Sequence, residues 1–250
     1  MKYDCNDTDV YILEAGSDID KLSKYYTWHA KTDQINKEGL RYSRGMNFGL
    51  LELFKQKKWY QYEAFFLLTN DTELSSTKTL APMSKLLKDH TRVGILSPCS
   101  LKWGERLLLE ETQTKYFWFI HNNALLLRRS FIESIMEKSN PNYMNFVFDG
   151  TNFRGYFSES ELIAKAYANN WAAAITTKVY AEENESYLLN KADLIKTETY
   201  EENTRLYLEE GEYWLRKKYG FNSRWSMQQY VKSFYDRFFD FYPEYQKYKI

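Results

Sequence analysis

The 250-residue chain carries 34 Lys and Arg against 34 Asp and Glu, so its formal net charge is zero. This length can form one large domain or two small ones with a sizeable core, and the absence of excess positive charge argues against nucleic acid as a partner. Two cysteines cannot build a disulfide framework, which favours a reducing cytoplasm. The longest apolar runs are strand-sized, far short of the roughly 20 residues that a membrane-spanning helix needs.

Short apolar segments alternate along the chain with segments of helical spacing. Strands are predicted at 10–13, 63–69, 93–98 and 171–180, with strand-rich sequence over 115–129; helices are predicted at 17–29, 46–57, 79–90, 130–138 and 159–170. The first of these helices rests on Ser17 as N-cap with Asp20 three residues later. Apolar strands that alternate with helices predict an α/β fold with a mostly parallel sheet covered by helices on both faces.

The composition changes beyond about residue 182, where charged helical sequence leads into the aromatic run 234–243. We therefore predict an α/β domain over residues 1–187 and a C-terminal helical, aromatic-rich extension over residues 188–250. The aromatic stripe is interrupted by Asp236, Asp240 and Glu244, which favours a role in the core or an interface over membrane anchoring. Peripheral membrane contact through this stripe stays open as an alternative.

Polar residues that directly follow strands are the best candidates for chemistry, because ligands of open α/β sheets bind beyond the carboxyl ends of the strands. Three segments qualify: 14–18, 69–73 and 158–161. Taken singly, each segment favours a purely structural explanation: 14–18 as turn residues, 69–73 as a loop with a carboxylate, and 158–161 as acidic residues at a helix N-terminus.

Taken together and in order, these segments resemble motifs of the inverting family-two glycosyltransferases with the GT-A fold, especially the rhamnosyltransferase-like branch. The matching stretches include Tyr-Ile-Leu-Glu-Ala-Gly-Ser-Asp at 11–18, Asn-Phe-Gly at 47–49, Leu-Leu-Thr-Asn-Asp-Thr at 67–72, Leu-Leu-Leu-Arg-Arg-Ser at 125–130 and the segment 148–162. The resemblance extends over about residues 9–187. It implies a GT-A-like nucleotide-binding domain that transfers a sugar from a nucleotide-sugar donor with inversion.

The resemblance also implies roles for individual residues. Glu159 corresponds to the catalytic base, with Glu161 supporting it, and Asp71 corresponds to the last Asp of a DXD-like loop that holds Mn²⁺ or Mg²⁺ at the diphosphate. Asp149 and Arg154 fall in the acceptor-binding segment. The expected nucleotide and donor contacts are Glu14, Gly16, Ser17, Asn47, Asn70, Asp71, His121 and Asn122. Arg41 and Arg44 are further candidates for binding the diphosphate or the acceptor, because guanidinium groups form bidentate hydrogen bonds.

The sequence departs from the family pattern at five places, two of which are Glu159, where Asp is usual, and Asn122, where Gly is common. Thr69 stands where the first acid of the DXD motif is usual, Ala181 stands where a metal-binding His is frequent, and the chain begins almost at the family's second strand. The last departure predicts an exposed sheet edge or a strand supplied by a second copy, hence a homo-oligomer. These departures leave a second hypothesis open, namely a non-catalytic, glycosyltransferase-like binding or assembly subunit.

The implied partners are a UDP-, dTDP- or GDP-linked sugar donor and a glycan or lipid-linked acceptor. The expected location is the cytoplasm, at the inner face of the membrane if the acceptor is lipid-linked.

Overall fold

The computed structural model describes residues 8–76, 78–120, 124–184 and 198–250. These residues form two sheets and the helices around them. The smaller sheet pairs β1 (Leu13–Ala15) in parallel with β2 (Trp28–Ala30). The larger, six-stranded sheet has the order β3-β7-β5-β8-β4, with β6 also paired to β8. Its strands are β3 (Ala64–Leu68), β4 (Thr72–Leu74), β5 (Val93–Cys99), β6 (Thr114–Tyr116), β7 (Ala124–Arg128) and β8 (Ala172–Glu183).

The strand directions place three carboxyl ends at one edge of the larger sheet. Strand β7 lies antiparallel between β3 and β5, and β8 runs parallel to β5, so β3, β5 and β8 all point the same way. We call the edge formed by residues 69–72, 99–101 and 180–184 the carboxyl edge. The α/β class is confirmed, whereas the expectation of a mostly parallel sheet is met only in part, because β4, β6 and β7 make the sheet mixed.

The helices are α1 (Asp33–Glu38), α2 (Arg41–Lys55), α3 (Leu80–Asp89), α4 (Arg129–Ile135), α5 (Ser158–Ala168), α6 (Tyr200–Tyr219) and α7 (Arg224–Phe241). All seven residues of β5 are buried. Since successive side chains of a strand point to opposite faces, this burial shows that both faces of the sheet are covered at its centre.

The aromatic C-terminal helix packs into the same core as the sheet. Helix α7 buries Met227, Val231, Tyr235, Phe238 and Phe239, each at most 3% exposed. Steps of three or four residues from Met227 to Phe238, with Phe239 adjacent, put these side chains on one face of the helix. The expectation that this stripe belongs to the core is therefore confirmed, and the long helices α6 and α7 lie within residues 188–250, for which helical structure was predicted.

The helix predicted at 17–29 is wrong. The structure has a 3₁₀ turn at Ile19–Lys21 and then β2. The physical reason is Glu14, whose carboxylate accepts hydrogen bonds from Ser17 Oγ at 2.8 Å and from the Ser23 backbone N–H at 3.0 Å. Ser17 is thereby engaged with Glu14 and does not cap a helix.

Candidate functional site

The loop after β3 holds Asp71 at the carboxyl edge. The Thr69 hydroxyl donates a hydrogen bond to Asp71 Oδ1 and also lies 2.9 Å from the Thr72 hydroxyl. The backbone N–H of Asn184 donates to the Asp71 carbonyl at 2.8 Å, and β4 then pairs antiparallel with the end of β8. The DXD-like loop is thus fixed beside the last residues of β8, and Thr69 supplies a hydrogen bond where the family pattern has an acid.

Glu182 and Glu183, at the end of β8, add two more carboxylates to this edge. Glu182 accepts hydrogen bonds from Ser100 Oγ at 2.9 Å and from the Leu101 backbone N–H, which ties the end of β5 to β8. Among the described residues, no group of three or more His, Cys, Asp or Glu side chains is arranged to hold a metal ion. Mg²⁺ commonly binds through one or two carboxylates together with substrate phosphates, so Asp71 suits an ion that arrives with a diphosphate rather than a resident, fully protein-bound metal.

Glu159 lies in the first turn of α5, which packs against β5 and β8. Residues 169–171 connect the end of α5 to the start of β8, so the helix runs back along the sheet in the direction of the carboxyl edge. Burial raises the pKa of Glu159 to about 7, against a smaller opposing effect of a hydrogen bond from its own backbone N–H. A carboxyl group with a pKa near neutrality is suited to exchange protons with a substrate.

Tyrosines surround Glu159 and connect it to the end of β8. Burial and then the charge of Glu159 raise the pKa of Tyr42. Burial also raises the pKa of Tyr207, with further contributions from the charges of both Glu159 and Glu183. The Tyr207 phenol is therefore within electrostatic reach of α5 and of the strand end that adjoins Asp71.

Buried hydroxyl groups accompany Glu159. The side-chain oxygens of Tyr42, Ser158 and Ser160 are buried and have no hydrogen-bond partner within the described ranges. Gly155 places two of these residues together, since a Cβ atom on it would lie 3.3 Å from Tyr42 Cβ and 3.5 Å from Ser158 Oγ. Unsatisfied buried hydroxyls are costly in a folded protein, and Ser158 and Ser160, on either side of Glu159 in the sequence, point to different sides of α5.

Glu161 has a different environment from Glu159. It is 2% exposed and accepts a hydrogen bond from Tyr219 Oη at 2.5 Å, while Lys218 Nζ lies 2.6 Å from one of its oxygens and Lys165 Nζ 3.8 Å from the other. These cations and the phenol bind the Glu161 carboxylate. None of these contacts joins Glu161 to Glu159, which Glu161 was predicted to support. They hold α5 against the end of α6 instead.

The predicted nucleotide-contacting residues divide into separate places. Glu14, Gly16 and Ser17 lie at the end of β1 in the smaller sheet, whereas Asp71 lies at the larger one. Gly16 has φ +73°, and a Cβ atom there would lie 2.3 Å from the Ile35 carbonyl oxygen, so glycine is required for the turn against α1. Both Glu14 oxygens are occupied by the hydrogen bonds that displace the predicted helix.

Asn47 is a buried structural residue in this geometry. Its Nδ2 donates to the carbonyls of Tyr143 and Phe148, and its Oδ1 accepts from the backbone N–H groups of Val147 and Phe148. The amide is therefore fully used in joining α2 to the segment before α5. Asn70 is exposed beside Asp71. His121 and Asn122 lie outside the described residues.

The predicted acceptor residues Asp149 and Arg154 line a cavity of about 800 Å³ between the 149–154 segment and α6. Burial alone would raise the pKa of Asp149, but hydrogen bonds from Lys218, Thr151 and Trp214 outweigh it and hold the pKa well below its usual range. Arg154 donates to Glu198 and Glu210 and lies 3.2 Å from the Asn203 amide oxygen. The lining residues of α6, which include Tyr213, Trp214 and Lys217, gave no motif in the sequence; only the aromatic and basic composition of 213–218 pointed to them.

Comparison with known proteins gives no match: no family model, no curated protein and no solved structure matches the chain. In the part of the chain that the structure describes, no helix combines the length and the apolar character needed to cross a lipid bilayer. The geometry above is therefore the basis for assigning a function.

Proposed function

We propose that the chain is an inverting glycosyltransferase that takes its sugar from a nucleotide-sugar donor. The observations that support this proposal are the position of Asp71 at the carboxyl edge of a mixed α/β sheet and that of Glu159 in the first turn of α5, which packs against the same sheet. This is the edge at which open α/β sheets bind ligands. The GT-A fold is the finer form of this proposal and is supported by the order of the matching motifs along the chain.

In this proposal Glu159 is the general base. Its carboxylate removes the proton of the acceptor hydroxyl while that oxygen attacks the anomeric carbon, and the bond from that carbon to the diphosphate oxygen breaks with inversion. The raised pKa makes Glu159 a stronger base than an exposed carboxylate, and the same value keeps about half of the molecules in the basic form near pH 7. Asp71 would hold a Mn²⁺ or Mg²⁺ ion, which would supply positive charge to the diphosphate leaving group.

The acceptor side of the proposal is supported by the resemblance of the segment 148–162 to the acceptor-binding segment of the family. The acceptor is a glycan or a lipid-linked glycan, and a cytoplasmic location follows from the nucleotide-sugar donor that the proposal requires.

A second function, a glycosyltransferase-like subunit that binds without catalysis, is favoured by one observation. Both oxygens of Glu14 are engaged by Ser17 and Ser23, in a sheet separate from the one that carries Asp71. Each Glu14 oxygen therefore already accepts one hydrogen bond from its own loop, which reduces what the carboxylate can offer to a nucleotide base. Nucleotide binding distinguishes the two functions.

The test is thermal denaturation with UDP, dTDP and GDP, each with and without Mn²⁺. We expect at least one nucleotide to raise the melting temperature, because a ligand that binds only the folded state stabilises it by mass action. Asp71→Asn should remove the Mn²⁺-dependent part of the shift, whereas Asp240→Asn, a change at an exposed side chain of α7, should not. No stabilisation by any of the three nucleotides would refute the catalytic proposal.

A further inference from the structure

The cavity between the 149–154 segment and α6 has the size of a ligand site. Its volume of about 800 Å³ falls within the range of roughly 300–1,000 Å³ typical of small-molecule pockets. One wall comes from the segment that precedes α5, and the other comes from α6. Gly211 lets α6 approach Tyr156 so closely that a Cβ atom on the glycine would lie 2.3 Å from Tyr156 Cβ, so the second wall is held against the α/β body. A preformed cavity needs little reorganisation when a ligand binds.

Three of the four acidic side chains that line the cavity are already bound to cations of the protein. Asp149 accepts a hydrogen bond from Lys218. Arg154 donates to both Glu198 and Glu210. The negative charge of these carboxylates is therefore compensated within the protein and contributes little to the binding of a ligand.

Two cations of the lining, by contrast, make no ion pair in the described part of the chain. Arg44 donates its Nε–H to the Gly150 carbonyl at 2.8 Å, and its two terminal nitrogens form no hydrogen bond there. Its guanidinium carbon lies 4.5 Å from the centroid of the Phe153 ring, so the group is held in place with its terminal donors unused. Lys217 is exposed, and its Nζ lies 5.9 Å from the Tyr213 ring centroid.

Positive charge is concentrated around Phe153. Three guanidinium carbons lie within 6 Å of its ring centroid: those of Arg44 at 4.5 Å, Arg154 at 5.4 Å and Arg41 at 5.7 Å. Two carboxylates, of Glu198 and Glu210, bind to this group of arginines, and neither binds Arg44. An anion beside Arg44 would supply the negative charge that the group lacks.

The two unpaired cations match a phosphate group better than a carboxylate. A phosphate ester carries about −1.5 to −2 charges at pH 7 and three acceptor oxygens. The planar fork of a guanidinium binds two of these oxygens, and an ammonium adds a point charge for the rest. A carboxylate has one charge and two oxygens, so Arg44 alone would satisfy it and Lys217 would stay unpaired.

Glu38 is the lining acid that makes no ion pair within the described ranges. Its Oε2 accepts a hydrogen bond from Gln34 Nε2 at 3.4 Å, which leaves its charge uncompensated. This charge opposes an anion, but Arg44 and Lys217 outnumber it. Removing it should therefore strengthen the binding of an anion to the cavity.

We propose that this cavity binds the phosphate group of a ligand, with the terminal nitrogens of Arg44 on two phosphate oxygens and Lys217 as the second cation. In the part of the chain that the structure describes, the lining contains no residue of the loop that carries Asp71, so this site is separate from the one expected for the diphosphate of the donor. The proposal rests on the proposed function only where the phosphate belongs to the acceptor. Phosphate binding itself requires no catalysis.

The test is calorimetric titration of the full chain with pyrophosphate, inorganic phosphate and acetate at constant ionic strength. EDTA is present, so that Asp71 holds no metal ion. We expect pyrophosphate and phosphate to bind and acetate to bind at least tenfold more weakly. UDP and dihexanoyl phosphatidic acid carry the same group on a nucleoside and on a lipid; the tighter of the two identifies the source of the phosphate, and the variants below should weaken both.

Three substitutions test the assigned contacts with pyrophosphate as the probe. Arg44→Lys keeps the charge but loses the fork, and should weaken binding by about tenfold or more, the contribution of one hydrogen bond to a charged group. Lys217→Gln should weaken it about fivefold, the upper value for an exposed ion pair. Glu38→Gln should strengthen it.

The matched control is Arg216→Gln. Arg216 is exposed on α6, directly before Lys217, and does not line the cavity. Both substitutions remove one positive charge from an exposed side chain, so neither should prevent folding. Arg216→Gln should change the affinity less than about twofold, because charges that are exposed to solvent interact weakly at a distance.

Three results would overturn the proposal: no binding of pyrophosphate or phosphate, acetate bound as tightly as phosphate, or equal effects of Lys217→Gln and Arg216→Gln. Release of nucleoside diphosphate from donors is measured separately with Mn²⁺. Pyrophosphate binding that depends on Arg44 and Lys217, without donor turnover, would refute the proposed enzyme and support the phosphate site. Donor turnover by a chain that binds no pyrophosphate in EDTA would do the reverse.

Discussion

Gly211 is the residue at which α6 comes closest to the α/β body, and its replacement by alanine tests how the C-terminal helix is attached. An added Cβ atom would lie 2.2 Å from Tyr156 Cγ and 2.3 Å from Tyr156 Cβ, more than 1 Å inside ordinary van der Waals contact. The Tyr156 ring cannot move aside easily, because it is 4% exposed and packs against the rings of Phe157 and Tyr207 at 4.6 and 5.0 Å. Alanine therefore requires a backbone shift of α6.

The expected cost follows from two opposing effects. Overpacking a well-packed contact costs about 1–3 kcal/mol, and this clash with a Cβ atom belongs at the upper end. Alanine in place of glycine within a helix returns about 1 kcal/mol. Gly45→Ala in α2 is the matched control, because its nearest neighbour would be Leu40 Cβ at 4.0 Å. We expect Gly211→Ala to lower the free energy of unfolding by about 2 kcal/mol and Gly45→Ala to raise it by up to about 1 kcal/mol.

Urea denaturation followed by far-ultraviolet circular dichroism measures this difference. A Gly211→Ala variant that is as stable as Gly45→Ala would refute the close approach of α6 to Tyr156. The cavity between α6 and the 149–154 segment would then lack the wall described above.

Two further predictions concern the acidic residues of α5. Glu161→Gln should lower the free energy of unfolding by about 2 kcal/mol in the same denaturation assay, because it removes a buried charge that accepts hydrogen bonds. The control is Glu209→Gln, at a 58% exposed ion pair, which should change the free energy of unfolding by less than about 0.5 kcal/mol. Equal effects of the two substitutions would contradict the buried ion pair of Glu161. The pKa of Glu159 is raised from 4.5 to about 7, so in that window the folded state binds more protons at this group than the unfolded state does, and the contribution of Glu159 to stability should fall as pH rises from about 4.5 to 7. Glu159→Gln should flatten the dependence of stability on pH in this window; an unchanged dependence would show that Glu159 is not the group that causes it. Catalytic turnover should rise with pH through about 7 as the base loses its proton.

Local patterns were sufficient to predict most of the elements. Apolar runs located β3, β5 and β8, and helical spacing located α3, α5 and the C-terminal helices. The helix predicted at 17–29 is absent because Glu14, which lies before the predicted helix, accepts hydrogen bonds from Ser17 and Ser23. Ser17 was predicted to cap this helix, but its hydroxyl donates to Glu14 instead.

The site was harder to predict, because its environments depend on contacts distant in sequence. The order of motifs along the chain indicated Asp71 and Glu159, and strand direction puts Asp71 at the carboxyl edge. Nothing near Glu161 in sequence shows that Lys218 and Tyr219 bind it, since they come from the end of α6. Asn47 was predicted to contact the donor, yet its amide is fully used by backbone groups about 100 residues later in the chain.

The most direct test of the central proposal is release of nucleoside diphosphate from a panel of UDP-, dTDP- and GDP-linked sugars at pH 8 with Mn²⁺. We expect the wild-type chain to hydrolyse at least one donor. Glu159→Gln should lower that rate by about 10²-fold or more without weakening nucleotide binding, whereas Glu209→Gln should leave it unchanged. No release from any donor, or a near wild-type rate for Glu159→Gln, would contradict the proposed role of Glu159 as the base.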